Sequence, residues 1–172
     1  MIETNSQTEA APAAWPAVES VTGDALAVAW ARIEHYIARR FVARAVMWRV
    51  DSDGGDWCPP LAPVVTLTAK LWTGAAWEAV TLDPAPDGWA LPAGRYQIEA
   101  TVGAGPVPEP VAAAVLRLAD YLAAQSALPA GARSYSANVG QLSETIAADP
   151  AAAARALQNS GAADLLRAYR RA

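Results

Sequence analysis

The segment from Leu61 to Ala124 most constrains the fold, because short Trp-containing strands end in GAGPVPEP and lead directly into PVAAAVLRLADYLAA. Its first run, VVTLTAKLW, is rich in β-branched residues, and TGAA can turn the chain back into WEAVTL, which predicts a hairpin. Gly94 can adopt a positive φ and close a second hairpin between GWAL and RYQIEATV. Pro110 suits a first helical turn. The segment therefore predicts a mostly antiparallel sheet followed by a helix.

Another amphipathic helix is predicted over Ala25 to Phe41, where apolar side chains recur at three- and four-residue spacing behind capping oxygens of Thr22 and Asp24. Arg44 to Val50 alternates as a strand. Hydrophobic residues make up 53% of the chain, but many are alanines, so the seven tryptophans must supply much of the core volume. We expect an α+β fold with two long helices packed with a small antiparallel β-sheet, plus short C-terminal helices on an extended tail.

Composition along the chain predicts three segments. Residues 1–20 are polar and then rich in Ala and Pro, which is typical of a flexible N-terminal arm. Residues 21–125 form the compact helix, sheet and helix core. Residues 126–172 begin as a polar linker and end in a helical tail, AAAARALQNSG followed by AADLLRAYRRA.

Charge and cysteine content exclude several classes of protein. The net charge of −4 argues against a general affinity for nucleic acid, because phosphate binding needs excess Lys and Arg. One cysteine cannot form an intrachain disulfide, and the N-terminus lacks the features of a signal peptide. No apolar stretch is long enough to cross a bilayer. We therefore expect a soluble protein, made in the cytoplasm, that does not associate with membranes.

No group of residues predicts catalysis. The single histidine, His35, has no metal ligand at a suitable spacing nearby, and Cys58 precedes two prolines that indicate a rigid loop. The acidic loop DSDGGD lacks the ligand spacing and the terminal Glu of a calcium loop, which leaves a solvated loop or an opportunistic cation site. The glycines of GAGP do not match a dinucleotide-binding pattern. We expect no enzymatic activity, no cofactor and no metal.

The tryptophans divide by position. Trp30, Trp48 and Trp72 lie on the apolar phases of their elements, which predicts burial in the core. A second set lies at loops or strand edges, where the alternatives are partial burial and a subunit, neck or sugar-stacking interface. These are Trp57, Trp77 and Trp89.

The order of elements resembles that of the head–tail connector, or adaptor, proteins of long-tailed phages and phage-derived gene transfer agents. The resemblance covers residues 24–172 and is carried by ARIEHYIARRF, LAPVVTLTAKLW, RYQIEATVGAGPVPEPVAAAVLRLADYLAA and the ending SYSANVGQ and LLRAYRR. In that family the subunits form a ring, commonly of twelve, beneath the portal of a DNA-filled capsid. The resemblance implies no role for the long N-terminal arm, which departs from the family's pattern.

The resemblance implies a structural subunit that joins the portal to the tail neck and continues the DNA channel. Its implied partners are the portal protein, a neck, stopper or tail protein, other copies in a dodecameric ring, and double-stranded DNA that passes without specific binding. It also implies assembly in the bacterial cytoplasm and a place in the virion or virus-like particle, with infectious phage and gene transfer agent both open. The residues implied to reach the portal are Leu165, Leu166, Arg167, Tyr169, Arg170 and Arg171.

Two other interpretations of the residues remain. The C-terminal residues can dock back on their own domain instead of on a partner, although the polar linker before them would let them swing away. The second functional class is a small β-rich module that binds carbohydrate or peptide through Trp57, Trp77 and Trp89.

Overall fold

The computed structural model describes residues 1–126, 134–139, 142–147 and 154–170, and only the backbone for those between 125 and 147. The chain divides into two compact units. The sheet unit comprises Met1–Ala14 and Ala38–Pro106, and the helical unit comprises Trp15–Ile37 and the chain from Val107 onward.

A five-stranded antiparallel sheet dominates the sheet unit. Its spatial order is β1-β2-β8-β4-β5, so the N-terminal strand lies at one edge. Alternating side chains of β2 and β8 are buried, as expected for strands that cover a core on one face. The strands are β1 (Ile2–Glu9), β2 (Arg44–Ser52), β4 (Val64–Trp72), β5 (Trp77–Val80) and β8 (Gly94–Val102).

A three-stranded antiparallel sheet completes this unit. It consists of β3 (Gly55–Trp57), β6 (Asp83–Ala85) and β7 (Gly88–Leu91), in the order β3-β7-β6. Trp57 is 3% exposed and packs edge-on against Trp48, with ring centroids 5.4 Å apart. Residues of both sheets therefore share one hydrophobic core. Its members include Val46, Trp48, Val50, Trp57, Leu61, Leu91, Tyr96, Ile98 and Val102.

The helical unit is built on α1 (Gly23–Ile37) and α2 (Glu109–Ser126), which pack together. Both helices bury residues at helical spacing. These are Ala29, Trp30, Ile33 and Ile37 of α1 and Val111, Ala114, Val115, Leu118 and Ala119 of α2. The rest of the unit, as described, is an antiparallel pair, two short helices and a 3₁₀ turn. Their bounds are β9 (Ser134–Val139), β10 (Leu142–Ala147), α3 (Ala156–Asn159), α4 (Ala162–Leu165) and Arg167–Tyr169.

The predicted fold class, two long helices packed with a small sheet, is wrong. Strands make up 38% of the structure. The core of the sheet unit lies between its two sheets and not between a sheet and the helices. The two long helices, α1 with 15 residues and α2 with 18, belong to the other unit. The spacing of apolar residues predicts each helix, but it does not indicate which surface of the protein the apolar face of the helix packs against.

Two predicted boundaries also differ from the structure. Residues predicted as a flexible arm form the edge strand β1, and the predicted limits at residues 20 and 125 do not coincide with the two units. The helix predicted to reach Phe41 ends at Ile37, because Ala38 has a φ of 53° and so leaves the helical region. Arg40 N then donates to Ala62 O at 2.7 Å. None of the described helices is long and apolar enough to span a membrane.

Candidate interaction surfaces

The C-terminal residues expected to reach a partner lie against their own unit. Leu166 is fully buried, and Leu165 and Tyr169 are half-buried. Arg167 and Arg170 are exposed. Arg171, the sixth predicted residue, lies outside the described residues. In this conformation the segment offers two guanidinium groups at the surface while its leucines contribute to packing.

Contacts within the C-terminal segment and with α1 hold the segment in place. Gly161, with a φ of 73°, ends one turn of helix before α4 begins, and Leu166 N donates to Ala162 O at 3.2 Å. The Arg170 guanidinium lies 5.2 Å from the ring centre of Tyr36 on α1, within cation–π distance. In the structure, the C-terminal segment therefore docks on its own unit.

The three tryptophans predicted for an interface occupy different environments. Trp57 is buried and donates from Nε1 to Thr4 Oγ1 at 3.2 Å. Trp89 is half-buried, with its ring centre 6.4 Å from that of Trp57. Trp77 lies on the face of the five-stranded sheet that points away from its core, and it pairs with Trp72 in the ladder of β4 and β5. The structure therefore does not bring the three rings together into one platform.

The face of the five-stranded sheet that points away from its core carries paired charges and one aromatic pair. Trp72 and Trp77 lie 5.3 Å apart, so Trp72 is half-buried there instead of in the core as predicted. The Arg49 guanidinium stacks 4.5 Å from the centre of the Trp77 ring. Lys70 Nζ lies 3.1 Å from Glu99 Oε1. Hydrogen bonds from Lys70 and then Gln97 lower the pKa of the Glu99 carboxyl.

A cluster that sequence reasoning missed joins the end of β1 to the start of β2. Arg40 donates from Nε and Nη2 to the two carboxylate oxygens of Glu9, the second at 2.8 Å, and Arg44 Nη1 lies 3.3 Å from Glu9 Oε1. Both arginine side chains are under 10% exposed. Burial raises the pKa of Glu9, but the hydrogen bonds and charges of Arg40 and Arg44 outweigh it, so the pKa lies below its ordinary value.

Comparison with known proteins gives matches among solved structures only. No family model and no curated protein matches the chain. A chain in the virion of a native gene transfer agent (GTA) particle is 19% identical, with a TM-score of 0.55, and the match covers 100% of this chain and 96% of that one. The chain shares its fold with a component of a GTA virion.

Two further matches come from neck structures. One is the neck of a native GTA particle computed with C12 symmetry, at 24% identity and a TM-score of 0.49, covering 79% of each chain. The other is the neck of an empty GTA particle computed with C6 symmetry, at 24% identity and a TM-score of 0.47, covering 79% of this chain and 74% of that one.

The remaining candidate residues for chemistry are His35, Cys58 and the aspartates of the acidic loop. His35 and Cys58 are exposed and belong to different units. In the acidic loop, Asp53 Oδ2 lies 3.3 Å from the N-terminal amino group, with both partners more than 80% exposed. Within the described ranges, no group of three or more His, Cys, Asp or Glu residues is placed to hold a metal ion.

Proposed function

We propose that this chain is a structural head–tail adaptor subunit of a tailed phage or GTA particle. In this role twelve copies form a ring that joins the portal to the tail neck and continues the DNA channel, without catalysis. The observation that carries the proposal is the fold shared with a GTA virion chain over nearly the full length of both chains. The resemblance of its sequence to adaptor proteins supplies the specific role.

The surface charges suit a channel through which DNA moves. Lys70 pairs with Glu99, and Arg95 Nε lies 3.7 Å from Asp51 Oδ1. Cations that already face carboxylates bind phosphate weakly, and the whole chain carries a net charge of −4. A ring of such subunits would let the duplex slide instead of holding it.

The exposed arginines of the C-terminal segment suit a protein partner. Arg167 and Arg170 are accessible while Leu166 is buried, so the segment can offer charge without unfolding its unit. Guanidinium groups form strong, directional hydrogen bonds with carboxylates. We propose that they pair with carboxylates of the portal protein.

The alternative function, a carbohydrate- or peptide-binding module, depends on three accessible tryptophans. Trp57 is 3% exposed and donates its indole N–H inside the unit, so its ring cannot stack on a sugar. This burial favours the adaptor role over the binding module.

Deleting the gene in a host that produces the particle tests the proposed role. An adaptor is needed to join head and tail, so electron microscopy should show DNA-filled heads and separate tails, and a copy of the gene in trans should restore whole particles. Whole particles made in normal number without the gene would contradict the proposal.

A further inference from the structure

Strand β1 is held in the sheet with little hydrophobic burial. It lies at the sheet edge, and five of its eight residues are exposed. Ile2 is its one apolar residue, and it packs only partly buried against the core. Edge strands with free backbone groups readily pair with other chains. What fixes β1 in place must therefore be its backbone ladder and its polar contacts.

Those polar contacts come from buried donors along one groove beside β2. Trp48 Nε1 donates to Gln7 Oε1 at 2.8 Å, and Trp57 Nε1 donates to Thr4 Oγ1 at 3.2 Å. Trp48 is fully buried and Trp57 nearly so, and a buried N–H without an acceptor is costly. The groove therefore favours a strand that presents these two acceptors.

Two buried arginines at the end of the groove favour a carboxylate at the end of the strand. Arg40 and Arg44 meet the carboxylate of Glu9, and Ala10 N donates to Ala45 O at 2.9 Å. In the observed register, Thr4, Gln7 and Glu9 supply a hydroxyl, an amide and a carboxylate to these donors. The groove therefore favours a strand with the polar side chains of residues 2–9 of this chain.

A long stretch of chain separates β1 from the strand β2 with which it pairs. After β1, the linker Ala10–Ala14 leads to Trp15, where the helical unit begins, and the chain returns to the sheet unit only at Ala38. Strands β2, β4, β5 and β8 remain continuous in the sheet if β1 leaves. Five extended residues reach about 17 Å, so the linker can carry β1 to a nearby groove on another molecule.

We propose that β1 of one copy occupies the groove beside β2 of a neighbouring copy, so that adjacent subunits exchange their N-terminal strands. A second copy supplies the same acceptors, carboxylate and backbone ladder, so exchange preserves every contact described above. This inference rests on the proposed ring, in which neighbours are held at high effective concentration and head-to-tail contacts close on themselves.

Single-cysteine variants test the exchange, because a link between two of them must join two molecules. Thr8 lies opposite Met47 in the ladder of β1 and β2. Full-length Thr8→Cys and Met47→Cys chains, each also carrying Cys58→Ser, are co-expressed with different tags and treated with dibromobimane, a short thiol crosslinker. Mass spectrometry then identifies peptides that join positions 8 and 47.

The matched control replaces the first variant with Thr68→Cys, an exposed position on β4. Exchange predicts linked heterodimers between positions 8 and 47 at least about tenfold above this control. A Thr8→Cys/Met47→Cys chain that links within itself, while the mixed variants give no more heterodimer than the control, would overturn the exchange.

Portal binding by the same samples separates this inference from the proposed function. Rings on the portal without linked heterodimers would refute the exchange and leave the adaptor role standing. Linked heterodimers in a protein that never associates with portal would support the exchange and refute the adaptor role.

Discussion

At the residue scale, Glu9 shows how one polar side chain can fix an edge strand. Its carboxylate accepts hydrogen bonds from Arg40 and lies close to Arg44, and its own side chain is 19% exposed. Charge-assisted hydrogen bonds in partly buried sites are stronger than neutral ones. Nothing in the spacing of these three residues along the chain predicts the cluster, because strand pairing brings residue 9 next to residue 44.

Replacing Glu9 by Gln removes the negative charge while keeping the shape of the side chain. We expect Glu9→Gln to lower the free energy of unfolding by about 2 kcal/mol, whereas Glu3→Gln, at an exposed position of the same strand, should have little effect. Urea denaturation of both variants and of the wild type measures this. An equal loss in the two variants would contradict the assigned role of Glu9.

The lowered pKa of Glu9 also sets a pH dependence. A carboxyl group with a lower pKa in the folded state stabilises that state above its unfolded pKa, and the contribution disappears as pH falls through the folded pKa. The difference in unfolding free energy between wild type and Glu9→Gln should therefore be constant near pH 7 and shrink as the pH falls through the lowered pKa of Glu9. A difference that grows on acidification would contradict the sign of the shift.

Two glycines of the GAGP sequence provide a second test at this scale. Gly103 has a φ of 97°, and a Cβ added there would lie 2.3 Å from Val42 O, which is backbone. Gly105 has a similar φ of 91°, but nothing lies within 4 Å of an added Cβ. The first glycine is therefore required by close packing as well as by its backbone conformation.

We expect Gly103→Ala to lower the unfolding free energy by about 3 kcal/mol or more, and Gly105→Ala by about 1 kcal/mol, because only the first adds a backbone clash to the strain of a positive φ. Thermal and chemical unfolding of the two variants compares them directly. Similar losses in both would show that packing around Gly103 tolerates a methyl group.

At the scale of elements, the sequence predicts helices and one of two hairpins. The second predicted hairpin, between GWAL and RYQIEATV, is wrong, because β7 pairs with β3 and β6 whereas β8 pairs with β2 and β4 in the other sheet. The hairpin of β4 and β5 and the Pro-started helix α2 are present, because turn residues and helical periodicity are local signals. Residues IETNSQTE have no hydrophobic alternation, so β1 gave no such signal. Its pairing depends on groups of β2 and β3 that are more than 40 residues away.

Hydrogen exchange tests β1 as an element. The amide groups of Ile2–Glu9 that bond to β2 should exchange more slowly than those of the linker from Ala11 to Ala14, although faster than those of the central strand β8. Backbone hydrogen bonds at a sheet edge protect amides, but they open more often than bonds in the centre. If the amide hydrogens of Ile2–Glu9 exchange as fast as those of the linker, these residues form a flexible arm and not an edge strand.

At the scale of the whole molecule, the role of a structural protein stays a prediction, and the predicted arrangement of the parts is wrong. The missing catalytic groups and the order of elements both pointed to an adaptor-like scaffold. The division into units was not predictable, because the chain leaves the sheet unit after Ala14 and returns at Ala38, a path set by long-range pairing. Burial of Trp57 and Leu166, both candidates for an interface, likewise depends on distant partners.

Reconstitution with the portal protein of the same particle tests the central claim most directly. Cryo-electron microscopy of portal mixed with this chain should show a ring of twelve subunits on the portal, into which both units fit. Arg167→Glu/Arg170→Glu should prevent that ring, while Arg155→Glu, another exposed arginine of the helical unit, should not. Portal particles that remain bare, with this chain free in solution at saturating concentration, would contradict the adaptor role.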